Sequence, residues 1–85
     1  MDAAEARRLT EEAQGDAFVA PFVRDLEGAI ERNARAGKSE LLPWEFLSEE
    51  GVPTLTDEQK RAILKQLTTK GFRIIDNRRR TLVSW

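Results

Sequence analysis

Three consecutive arginines, Arg78, Arg79 and Arg80, are the residues whose type and spacing point most directly to a chemical role. Each guanidinium presents a planar fork of N–H donors that matches the oxygens of phosphates and carboxylates. The arginines lie between two β-prone runs, residues 72–75 and 81–85, so we expect them at the tip of a β-hairpin. Such a tip can contact nucleic-acid phosphates or an acidic protein surface, or it can simply be solvated.

Side chains that catalyse reactions are scarce in this sequence. It contains no His, no Cys and no Tyr, which removes the usual general bases, thiol nucleophiles and phenolic acids. The serines Ser39, Ser48 and Ser84 therefore have no His to activate them. The five glycines are scattered and form no phosphate-binding loop. We expect a protein that is not an enzyme and that uses no cofactor.

The adjacent carboxylates Glu49 and Glu50 are the nearest approach to a metal site. Two neighbouring acids in a loop can approach a hard cation, but they are far more often solvated. The usual zinc ligands, His and Cys, are absent. We therefore predict no metal site.

The two parts of the chain carry opposite charge. Residues 1–53 contain 12 acids and six bases, a net charge of −6, whereas residues 54–85 contain eight bases and three acids, a net charge of +5. This asymmetry predicts either a basic face for an anionic partner or acid-to-base contacts between copies. Alternatively, the two parts neutralise each other within one fold.

Two helices are predicted in the first part of the chain. Residues 1–15 are good helix formers with a weak apolar face, so this helix should dock only loosely on the body or on a neighbouring molecule. Apolar residues recur at three- and four-residue steps from Phe18 to Ala34, which predicts a second helix over residues 18–37.

Two residues of this second helix need explanation. Pro21 suits the first turn of a helix and not its interior, so the regular helix should begin near Ala20. Gly28 lies in the middle, at a cost of about 1 kcal/mol relative to Ala. It either permits close packing against another element, which we favour, or is simply tolerated.

The middle segment, residues 39–55, has no clear period. Residues 40–42 precede Pro43 and are expected to form a short lateral strand, because Pro is confined to the edges and ends of strands. Trp44 and Phe46 follow in an apolar cluster. They either cover the core from outside, which is the more common arrangement, or form an exposed anchor for a partner.

The last unit, residues 56–85, is predicted to be a helix followed by a β-hairpin. Thr56 and Gln59 match a capping box at the helix start. Gly71 can adopt the left-handed conformation that ends many helices. Alternate residues of the two strands should face the core: Phe72, Ile74, Val83 and Trp85.

These elements predict a single α+β domain, residues 1–85. The order is α-α-β-α-β-β, with a small antiparallel sheet and its C-terminal β-hairpin packed on helices. A chain of 85 residues is near the size at which one core is only marginally sufficient. Such a domain often uses a partner or its own copies to bury more surface.

Four short stretches resemble a set of short bacteriophage-encoded proteins. They are MDAAEARRLT (1–10), ARAGKS (34–39), LTTKGFRI (67–74) and TLVSW (81–85). Proteins of this set begin with an Ala/Arg-rich helix, carry a Leu-x-x-x-Gly-aromatic-x-apolar turn into a hairpin, and finish on Ser-Trp. They are mostly uncharacterised or virion-associated, so the resemblance implies a phage setting and no chemistry. Residues 43–47, Pro-Trp-Glu-Phe-Leu, depart from the pattern, which usually has a plain strand there.

The function expected from these observations is non-enzymatic and depends on protein–protein contacts. The protein would be a virion-associated structural or assembly component that binds its own copies or a larger phage assembly. The opposed charges favour head-to-tail contacts. Candidate interface residues are Trp44, Phe46, Arg73, Arg78, Arg79 and Arg80.

Nucleic-acid binding is the alternative function. A helix followed by a hairpin with an arginine tip resembles the wing of a winged-helix domain. Against this, Asp57 and Glu58 occupy the helix start and repel phosphate, and the net charge is −1, whereas such domains are usually basic. A host-factor inhibitor or a protein that binds a small nucleotide also remains open.

Membrane partners are not expected. No run approaches 18 consecutive apolar residues, and the N-terminus lacks a hydrophobic signal segment. We therefore expect the protein in the host cytoplasm or in the virion.

Overall fold

Four helices and three short strands form the part of the chain that the structure, a computed structural model, describes: residues 1–77 and 79–85, with only the backbone for residues 13 and 14. The elements are α1 (Ala3–Gln14), α2 (Asp16–Arg35), β1 (Glu40–Leu41), α3 (Pro43–Glu49), α4 (Asp57–Thr69), β2 (Arg73–Asp76) and β3 (Thr81–Ser84). This confirms the predicted α+β class and the predicted order of the elements, to which the structure adds α3.

Helix α3 lies in the middle segment, where the sequence predicted a short strand and loop. Pro43 is its first residue, a position that suits proline because its missing N–H has no partner inside the helix. Leu47 on the same helix is only 2 % exposed. A helix of seven residues is too short to show a periodic pattern, which is why the sequence did not reveal it.

The three strands form an antiparallel sheet in the order β1-β3-β2. The central strand β3 pairs Val83 with Leu41 on one side and with Ile74 on the other. The two-residue β1 lies at an edge, as predicted for the residues before Pro43. Because Val83 is covered from both sides and by the helices, its side chain is fully buried.

One hydrophobic core joins α2, α3, α4 and β3. Its buried residues are Val19, Val23, Leu26, Ile30, Leu47, Ile63, Leu67 and Val83. Partly buried apolar residues, among them Phe72 and Ile74, surround this cluster. The core is therefore small, as expected for a chain of this length.

The prediction that Trp85 is buried is wrong. This residue follows the end of β3, where its N–H donates to the carbonyl of Ser39 at 3.1 Å. Its ring meets that of Phe72 edge to face, with centroids 6.4 Å apart. The side chain is still 38 % exposed, because it lies past the last strand residue and does not enter the core cluster.

Helix α2 begins earlier than predicted, at Asp16. Gly15 separates it from α1 by adopting an extended conformation between the two helices. Pro21 is therefore inside the helix, where it removes the backbone hydrogen bond to the carbonyl of Ala17. Both Ala17 and Pro21 are exposed, so water can replace the lost bond.

The ends of α4 agree with the sequence prediction. Thr56 Oγ1 accepts a hydrogen bond from the N–H of Gln59 at 3.1 Å, and the N–H of Thr56 donates to Gln59 Oε1 at 2.9 Å. Gly71 has a φ of 96°, the left-handed conformation that ends a helix at little cost only for glycine. The close packing expected at Gly28 is absent, since an added Cβ would meet only an Arg32 side-chain nitrogen at 3.7 Å.

The two glycines should respond in opposite directions to replacement by alanine. Gly71→Ala places a Cβ on a left-handed residue and should lower the free energy of unfolding by about 1 kcal/mol. Gly28→Ala should raise it by up to about 1 kcal/mol, because alanine is the better helix former. Urea unfolding of both variants measures the difference, and an unchanged midpoint for Gly71→Ala would contradict the left-handed helix end.

Candidate interaction sites

Hydrogen bonds link the described residues of the turn between β2 and β3, and this turn presents arginine side chains. The N–H of Asn77 donates to the carbonyl of Arg80 at 3.1 Å. Asn77 Oδ1 accepts from the N–H groups of Arg79 at 3.0 Å and Arg80 at 3.1 Å. Below the turn, Thr81 Oγ1 donates to Asp76 Oδ1 at 2.8 Å. The side chains of Arg79 and Arg80 are exposed on this turn. Arg78, which was also predicted to be an interface residue, lies outside the described residues.

An open groove, here called the tip groove, separates this turn from the first half of α4. Its lining residues are Trp44, Glu45, Asp57, Lys60, Arg61, Leu64, Asp76, Asn77, Arg79, Arg80 and Thr81. Trp44 and Leu64 give it an apolar part. Its described lining residues include four cations and three acids, so their excess of positive charge is small and is concentrated on the side of the turn.

The cations of the groove differ in what they contact. Arg61 Nη1 lies 2.8 Å from Glu58 Oε1 in an ion pair along α4. Lys60 Nζ lies 5.5 Å from the centroid of the Trp44 ring, within range of a cation–π interaction. Within the described part of the chain, neither Arg79 nor Arg80 forms an ion pair. These two side chains are therefore available to an anionic group from outside.

The aromatic candidates Trp44 and Phe46 cover the core. Both are half-buried and pack against the buried cluster. The guanidinium carbon of Arg32 lies 6.0 Å from the Phe46 ring centroid, so each ring has a cation of its own chain nearby. The structure therefore favours the covering role over the exposed anchor for Phe46, whereas Trp44 also borders the tip groove.

The structure brings only some of the candidate interface residues together. Trp44, Arg79 and Arg80 share the tip groove. Phe46 lines a neighbouring groove, which also reaches Arg80. Arg73 is exposed at the opposite end of the hairpin, where it pairs with Ser84. Arg73 therefore does not belong to either groove.

The opposite charges of the two parts of the chain are mostly not paired with each other. In the described residues, the ion pair between Glu27 and Lys70 is the one that joins residues 1–53 to residues 54–85. Each of the other three described ion pairs joins two residues of the same part. Both the acidic and the basic surface therefore remain open to a partner.

Helix α1 is a candidate contact surface that was not among the interface residues predicted from the sequence. Residues 1–12 are all exposed, and Leu9 is 47 % exposed. Among the residues of α1 whose side chains the structure describes, none belongs to the buried cluster. The Cα radius of gyration is 14.2 Å and the extents are 51 × 23 × 23 Å, whereas a compact chain of this length has a radius of gyration of about 12 Å. The loose docking of α1 stays a prediction, and the weak apolar face is the sequence feature on which it rests.

In their described residues, neither α1 nor the tip groove has the features of a metal site. Among the described residues, no group of three or more His, Cys, Asp or Glu side chains is placed to hold a metal ion. In the same part of the chain, every buried polar side-chain atom has a hydrogen-bond partner. No helix within the described ranges is long and apolar enough to span a bilayer.

Comparison with known proteins assigns no role to these two surfaces. No protein-family model, no curated protein and no solved structure matches the chain. The candidate sites therefore rest on the geometry and the charge of this chain alone.

Proposed function

We propose that the protein is a non-enzymatic interaction protein that works as a structural or assembly component of a phage particle, with α1 as its contact element. The observation that carries the proposal is the exposure of α1 along residues 1–12. The phage setting is supported by the sequence resemblance described above. The contact element is supported by physical arguments about α1.

An isolated helix of this length is unstable in water. Helix α1 has 12 residues, and helices shorter than about 12–15 residues are marginal even with the best formers, because nucleation is costly. Asp2 caps its start by accepting from the N–H of Glu5 at 2.9 Å. A cap contributes only about 1 kcal/mol, so the helix needs further packing to be well populated. A partner that covers Leu9 and Ala6 would supply it.

The unpaired charges support the same function. An acidic surface on residues 1–53 and a basic surface on residues 54–85 remain largely without internal partners in the described chain. Complementary surfaces of this kind steer association and fix the orientation of the partners. They do so without any catalytic group.

A photo-crosslinking experiment tests the contact role of α1. We expect the photoreactive residue p-benzoylphenylalanine at position 9 to give a covalent product with another chain in cells that assemble the particles. The same residue at position 24, where Arg24 is exposed on α2, is the matched control and should give little product. Mass spectrometry of the product and of purified particles identifies the partner. The absence of any product from position 9 would contradict the proposed function.

Nucleic-acid binding is a second candidate function, favoured by one topological observation. From α2 to β3 the order is helix-strand-helix-helix-strand-strand, with the sheet order β1-β3-β2. This order supports the interpretation of the domain as winged-helix-like. Helix α4 would then be the recognition helix, and the arginine tip would be the wing. Arg79 and Arg80, which have no ion pair in the described chain, would then contact phosphates.

The charge of α4 limits this second function. Its exposed charged residues are Asp57, Glu58, Arg61 and Lys65, two acids and two bases, so the outward surface has no net charge. Glu58 also holds Arg61 in an ion pair. Binding would therefore rest on the hairpin tip, with little base reading by the helix, and it would be weak and sensitive to salt.

A further inference from the structure

The acidic side of α1 and the basic side of the tip groove are complementary. At about 100° per residue, Glu5 lies about 40° and Glu12 about 60° from Leu9 around the axis of α1. Both lie in the same direction from Leu9. Glu11 lies on the opposite side, about 160° away. The face that exposes Leu9 is therefore bordered by two carboxylates. Glu12 has only a 4.0 Å contact to Arg8, and both of these side chains are about two-thirds exposed.

The tip groove offers the matching groups. Trp44 and Leu64 provide apolar surface, and Arg79 and Arg80 provide two guanidinium groups that lack an ion pair in the described chain. Amphipathic helices commonly bind by laying an apolar face into a groove of this kind. Charge-assisted contacts from arginine to carboxylate then fix the position of the helix.

We infer that α1 of one copy docks in the tip groove of a second copy, with Leu9 against Trp44 and Leu64 and with Glu5 and Glu12 against Arg79 and Arg80. The inference rests on the proposed function, in which α1 is the contact element, and it names the partner as the protein itself. The contact is heterologous, because α1 and the groove are different surfaces. Repetition of it builds a ring or an open chain.

Pairing of α1 with α1 of another copy fits the charges less well. In an antiparallel pair centred on Leu9, the acidic flanks of the two helices would face each other, Glu5 and Glu12 against their counterparts. Like charges placed this way oppose association. The acidic face of α1 therefore requires a basic surface, and on this chain the tip groove provides one.

A charge exchange between two variants tests the contact. The groove variant carries Arg79→Glu and Arg80→Glu, and the helix variant carries Glu5→Arg and Glu12→Arg. In either variant alone, α1 and the tip groove carry charges of the same sign. We therefore expect its association constant to fall about tenfold or more. When the two are mixed, both kinds of contact regain opposite charges. The mixture should then associate about as strongly as the wild type, as measured by light scattering.

Glu11→Arg is the matched control, since it reverses a charge on the same helix but on the side away from Leu9. It should change the association constant much less than the helix variant. Circular dichroism of each variant checks that the fold is retained. Failure of the mixture to associate better than its separate components overturns the inference.

Two further outcomes separate this inference from the proposed function. A crosslink from position 9 to the groove of a second copy supports both. A wild-type protein that stays monomeric at high concentration, and whose position 9 crosslinks only to a different protein, overturns the self-docking inference and leaves α1 as the contact element.

Discussion

Leu26→Ala should remove a large part of the stability of this protein. Leu26 is fully buried in the core cluster, so its truncation removes apolar contacts and leaves a cavity. Such substitutions cost about 2–5 kcal/mol, whereas a whole domain of this size is stable by about 4–13 kcal/mol. The expected loss is therefore a large fraction of the whole stability. We expect the urea midpoint to drop sharply and part of the population to be unfolded in the absence of urea.

Ile75→Ala is the matched control for this experiment. Ile75 lies on β2 and is 50 % exposed, so its truncation removes less buried surface and creates no enclosed cavity. The expected cost is below about 1 kcal/mol, as for most exposed positions. Equal losses for the two variants would contradict the burial of Leu26 in the core.

Arg79→Ala with Arg80→Ala should abolish most of any nucleic-acid binding. If the second candidate function holds, the wild type binds duplex DNA at low salt through phosphate contacts of the hairpin tip. Each lost contact reduces the slope of log K against log salt by about 0.9, so the double variant should lose nearly two units of slope. The affinity at low salt should fall about tenfold or more. Fluorescence anisotropy over a salt series measures both quantities.

Arg73→Ala is the control for the loss of one arginine from the same hairpin. Arg73 is exposed at the end of β2 opposite the turn, so its removal should leave the slope nearly unchanged. A wild type that does not bind DNA or RNA even at low salt would eliminate this second function. Equal effects of Arg73 and of the tip arginines would indicate a general charge attraction without a defined site.

The sequence predicted the elements that local rules define. The capping box of Thr56 and Gln59 and the left-handed Gly71 are set by neighbouring residues, and each was predicted from its position. Helix α3 was not predicted, because Pro43 suits both a strand end and the first turn of a helix. Only the burial of Leu47 against the other helices distinguishes the two.

The candidate sites were less predictable because they depend on contacts between distant residues. The opposed charges of the two parts were visible in the sequence, but only the structure shows that Glu27 and Lys70 are the pair that joins them in the described chain. The sequence likewise left two roles open for Phe46, and its packing against the core, which depends on distant residues, favours the covering role. The exposure of Trp85 follows from its place beyond the last strand, which alternation along the hairpin does not reveal.

The elongated shape of the chain also affects how the protein behaves in hydrodynamic experiments. A particle 51 Å long and 23 Å across experiences more friction than a sphere of the same 9.7 kDa mass. On a gel-filtration column the monomer should therefore elute early, close to the volume of a compact protein of larger mass. Removal of residues 1–14 would shift that volume later by more than the lost mass explains.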